Sequence, residues 1–132
     1  MSSFFRDLDQ KDLVDTAKQL HKLGVRREWQ ELDQYTKETT VTYLRETRPE
    51  IFHYRGEYMD AETCYFIPTL EDALAFLLQR NFVPVMEYYV KGKWRLTWTV
   101  GGFAEGLTPR IAALRAMEEL IRREREEQKK EE

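Results

Sequence analysis

Nucleophiles and metal ligands are scarce in this chain. Its 132 residues include one cysteine, Cys64, and two histidines, His21 and His53. A single cysteine excludes an internal disulfide framework. Paired Cys and His ligands at zinc spacing are absent, so no metal is expected. The serines are Ser2 and Ser3, at the N-terminal end. A serine nucleophile held by a rigid scaffold is therefore not expected. Nothing marks Cys64 as an activated thiolate, and a lone cysteine of this kind reads as packing. No apolar run approaches the ~20 residues of a membrane span. The opening MSSFFRDLDQ has no long apolar stretch of a secretory leader. A cytoplasmic protein with no membrane partner and no cofactor is expected.

Glycine-rich phosphate loops are missing too. Gly101, Gly102 and Gly106 fit neither of the common nucleotide-binding spacings, and they read as a loop between a strand and a helix. Net charge is −3, too mild to suggest a polyanion binder by composition. That average conceals a split. Residues 80–115 carry six basic and two acidic side chains, net +4, which leaves −7 for the rest.

What is present is a fold signal. Hydrophobic residues make up 42% and charged residues 34%, enough for a real core under a soluble surface. In Lys93–Val100, Trp94, Leu96, Trp98 and Val100 alternate with polar residues, the pattern of a half-buried strand. Phe82–Val90 precedes it, rich in aromatic and β-branched residues. Lys91-Gly92 between them predicts a tight hairpin turn. Pro84 belongs early on an edge strand, because it cannot donate a ladder hydrogen bond. Thr108-Pro109 is a helix start, and Ile111, Leu114, Met117, Leu120 and Ile121 form its apolar stripe. Upstream, Thr69-Leu-Glu-Asp72 reads as a capping box for a helix whose Leu70, Ala73, Leu74, Leu77 and Leu78 face one way. The prediction for residues 69–127 is an α-β-β-α unit, a hairpin or small antiparallel sheet covered by amphipathic helices.

The first half is less regular. Asp9 reads as a cap for a helix that ends at Gly24, with Leu13, Ala17 and Leu20 in one stripe. Trp29, Leu32, Thr36 and Tyr43 fit a second helix over 26–48, weakened by the β-branched run Thr39–Thr42. Residues 1–50 are thus read as a helical arm or hairpin. Residues 51–68 read as an irregular or extended connector, with short strands near 51–55 and 63–67 and a turn at 60–62. The whole is a single α+β domain.

Two resemblances enter with these motifs. YFIPTLEDALAFLLQ, KWRLTWTV and TPRIAALRAMEEL, within residues about 65–122, resemble the small ABA-sandwich proteins of bacteriophages and prophages of Gram-positive bacteria. That resemblance implies a fold and a phage-type origin, with no particular activity. GGFAEGLTPRIAALRAMEEL also resembles the last strand, loop and helix of a double-stranded-RNA-binding domain. In that family a lysine cluster opening the last helix touches phosphates. Here Arg110 stands in that place, and Lys91-Gly92 replaces the family's His-bearing loop.

Three functions follow as expectations. The first is a non-catalytic accessory protein that binds a protein partner or itself, as a homodimer, through an aromatic patch in 51–66 or an edge at 82–89. The alternative is a nucleic-acid-binding module using Lys91, Lys93, Arg95, Arg110 and Arg115. The third is an enzyme built on His53 with Glu50, Glu57, Asp60 and Glu62, a set that reads more simply as a solvated acidic loop.

Overall fold

The computed structural model describes residues 2–37, 51–90, 92–98 and 102–131. Among the described residues, nine elements follow one another in an α+β order. They are α1 (Ser2–Lys22), β1 (Gln34–Lys37), β2 (Phe52–His53), β3 (Cys64–Phe66), α2 (Leu70–Gln79), β4 (Pro84–Val90), β5 (Lys93–Trp98), β6 (Gly102–Gly106) and α3 (Pro109–Glu131). The backbone separates into two compact units, Met1–Ile67 and Pro68–Glu132.

In the first unit, α1 buries Leu13, Val14, Ala17 and Leu20, one face at helical spacing. The helix begins at Ser2 and runs through Asp9, so the expected cap lies inside it. Gly24 ends it at φ +90°, and Arg26 donates to the His21 carbonyl at 2.5 Å, which satisfies a terminal acceptor. A three-stranded antiparallel sheet has the order β2-β1-β3. The helix expected from residue 26 does not form. Residues 25–33 are irregular, Leu32 sits at φ +70°, and Gln34–Lys37 is a strand. Burial decides this. As a strand, β1 places Tyr35 and Thr36 at 2% and 1% exposure, and sets Tyr35 between Phe52 and Phe66 in register. The rest of that expected helix, residues 38–48, lies outside the described residues. The two expected short strands are β2 and β3. The expected turn between them is closed by Cys64 N–H on the Asp60 carbonyl at 3.0 Å.

In the second unit the caps are as the sequence predicts. Asp72 N–H donates to Thr69 Oγ1 at 3.0 Å, and Thr69 N–H to Asp72 Oδ2 at 2.9 Å. Ile111 N–H donates to Thr108 Oγ1 at 3.1 Å at the start of α3. The hairpin of β4 and β5 is antiparallel, with Met86 opposite Leu96. Gly92 takes φ +73° in its turn, and Lys91 lies outside the described residues. The stretch read as a glycine loop is a third strand, giving the order β4-β5-β6. The glycines are there for room. A Cβ on Gly102 would come 2.1 Å from the Trp98 indole, and one on Gly106 would come 2.7 Å from the Ala112 nitrogen of α3. The expected α-β-β-α unit is therefore α-β-β-β-α.

One face of this sheet packs on the helices, with α3 against β5 and β6, and α2 against α3 and β4. Leu96, Trp98, Leu77, Ile111, Leu114 and Met117 are buried there. Each large apolar side chain removed from water contributes roughly 1.5–3 kcal/mol. Trp94, expected in that core, is half-buried and meets Tyr88 edge-on at 5.4 Å. Arg80 at the end of α2 pairs with Glu124 of α3. Among the described residues no helix is long and apolar enough to cross a membrane.

Candidate functional site

Strand alternation sends residues 85, 87 and 89 of β4 to the side away from the helices. The ladder sets them in rows. Val85 lies opposite Thr97, which lies opposite Phe103, and Glu87 lies opposite Arg95, which lies opposite Glu105. Val83, Val85, Tyr88, Tyr89, Val90 and Phe103 are all 47–59% exposed. Tyr88 and Tyr89 are both open. The register shift between Tyr88 and Val90 breaks the alternation at the end of β4 and sets Val90 opposite Lys93.

Arg95 organises this open face. Its guanidinium carbon lies 3.5 Å from the Tyr89 ring centroid and 4.4 Å from that of Phe103. Nη2 reaches Glu105 Oε1 at 2.6 Å, and the Glu105 hydrogen bond raises the arginine's pKa. A fixed, stacked arginine among tyrosines and a phenylalanine is the composition of a protein-contact surface. Sequence reasoning missed the stack because Phe103 had been read as loop. The hairpin register already put Arg95 beside Tyr89.

The other candidate cations are dispersed. Lys93 is exposed at the start of β5, beside Val90. Arg110 donates through Nε to the Pro68 carbonyl at 2.9 Å, with Asp72 and Glu71 nearby; burial lowers its pKa. Arg115 donates to the Glu105 carbonyl at 2.9 Å. Arg95 and Arg115 thus meet at Glu105, whereas Arg110 is engaged elsewhere. Lys91 lies outside the described residues.

The carboxylates around His53 have separate duties. Tyr35 Oη donates to Glu57 Oε2 at 2.6 Å, and the Arg55 N–H donates to the other oxygen. The tyrosine hydrogen bond holds the Glu57 pKa down to about 2, and burial first, then Glu57, pushes Tyr35 up to about 12. Asp60 accepts from the Glu62 N–H at 2.9 Å within its own turn. His53 Nε2 lies 3.4 Å from the Gln34 amide. Glu50 lies outside the described residues. Among the described residues no three His, Cys, Asp or Glu side chains are grouped to hold a metal ion. Cys64 is buried at 6% exposure.

No family model, curated protein or solved structure matches the chain. The open face and its edge are the features with the composition of a binding site.

Proposed function

We propose that this chain is a small accessory protein of phage or prophage type that acts by binding protein, without catalysis, from a cytoplasmic setting. The phage-type part rests on the resemblance of residues about 65–122. The binding part rests on one observation. β4 is a seven-residue edge strand whose exposed side chains are mainly Val and Tyr. Edge strands normally carry devices against pairing, such as lysines, central prolines or a covering loop. β4 has no lysine, its Pro84 stands at the first position, Glu87 is its single charge, and its register shift comes only after Tyr88, which leaves Val85–Tyr88 as regular edge. An extended partner segment can add to such an edge through main-chain hydrogen bonds, with Tyr88 and Tyr89 supplying apolar contact.

The test is a selection of random extended peptides against the folded chain, with amide exchange read on the whole protein. Slowed exchange of the Val85–Val90 amides, from a selected peptide or from raised protein concentration, supports the reading. Binders that all map elsewhere, with β4 amides unchanged in both conditions, remove it. The nucleic-acid alternative has less behind it, since Arg95, Arg110 and Arg115 are each engaged by acceptors of the chain itself.

A further inference from the structure

We infer that the occupant of the β4 edge is a second copy of this chain, paired antiparallel about a two-fold axis at Tyr88. This rests on the reading of β4 as a binding edge and adds the identity of the partner. The argument is one of complementarity. In an antiparallel pair, residues directly opposite each other share a face, so only registers centred on a residue keep the faces matched. Centring on Glu87 sets two carboxylates against each other, which is destabilising. Centring on Met86 uses Pro84 as a ladder residue, and proline has no N–H to give.

Centring on Tyr88 avoids both costs. On the helix-packed face, Tyr88 meets the second copy's Tyr88; the matched rows stop at Tyr89, because the register shift turns Val90 to the Lys93 side. On the open face, Glu87 lies opposite Tyr89 of the second copy. The register shift leaves Tyr89 without a ladder partner and sets the next residue, Val90, opposite its own Lys93. Glu87 of one copy and Lys93 of the other are then two strand spacings apart, about 10 Å between backbones, within the joint reach of their side chains. Glu87 and Lys93 are exposed, and neither has an ion-pair partner among the described residues. A two-fold axis supplies each with the other, twice. Two small sheets become one continuous sheet of six strands.

Two measurements test this on the full chain. Sedimentation from 1 to 500 μM should show a monomer–dimer equilibrium. E87K and K93E should each raise the dimer dissociation constant about tenfold, and E87K/K93E together should restore it; melting of dilute protein checks that each variant folds. In a C64A background, Y88C should form a disulfide-linked dimer under mild oxidation. M86C should not, because the axis at Tyr88 separates the two copies of residue 86 by four residues along the strand. A monomer at every concentration overturns the inference, as does a dimer indifferent to both charge reversals. If the monomer nevertheless binds a selected peptide along β4, the binding-edge reading survives and the self-partner is wrong. If neither is seen, both fall.

Discussion

At the scale of single residues, the Tyr35–Glu57 contact has a readable pH signature. Glu57 keeps its proton off down to about 2, below the ordinary carboxylate range. Its contribution to stability is therefore complete above that range and is lost as pH falls towards 2. Tyr35 holds its proton up to about 12, so its contribution is complete below the ordinary phenol value and is lost as pH rises towards 12. Thermal melting between pH 2 and 6 should fall less steeply for Glu57→Gln than for the parent. Absorbance titration should contain one late-ionising tyrosine, missing in Tyr35→Phe. Equal acid slopes, or an unchanged late phase, would contradict the assignment. The sequence does not announce this pair, because residues 34–37 fall in a stretch with helical spacing. Helical spacing of Trp29, Leu32 and Thr36 was a weaker signal than the chance to bury Tyr35 and Thr36 in a sheet.

At the scale of elements, legibility followed local chemistry. Thr69 with Asp72, and Thr108 with Pro109, announce α2 and α3 because a cap is a contact between near neighbours. Lys93–Trp98 announces β5 because alternation is unbroken. β6 escaped notice since its inward residues are Gly102, Ala104 and Gly106, which carry no apolar bulk. Their signal was alternation in size: small residues at every second position facing Trp98 and α3. Gly102→Ala tests that account. Its methyl meets the Trp98 ring and should cost about 2 kcal/mol in urea unfolding, the usual range for overpacking a tight site. A cost near zero would mean that Trp98 has room to move. The open face was only half legible. Arg95 was flagged as a cation for phosphates, whereas its neighbours Tyr89, Phe103 and Glu105 hold it as part of a mixed aromatic and charged surface.

At the scale of the whole molecule, the sequence reads as a single domain whose residues 1–50 are a helical arm or hairpin. The backbone divides along the sequence into two compact units, Met1–Ile67 and Pro68–Glu132. The second unit contains its own core in Leu77, Leu96, Trp98, Ile111 and Leu114. Residues 68–132 expressed alone should therefore melt cooperatively and keep the helix and strand content of that half by circular dichroism. A broad, non-cooperative melt would show that its core is insufficient, a known hazard for domains of roughly 60 residues.

The three indoles are shared unequally between the halves. Trp29 stands alone in the first, ringed by Tyr35, Tyr54 and Phe66, while Trp94 and Trp98 belong to the second. The chain thus carries a native optical label on each side of its midpoint. Replacing Trp94 and Trp98 with phenylalanine leaves an emission signal from the N-terminal half alone, so that the loss of order in each half can be timed separately by intrinsic fluorescence.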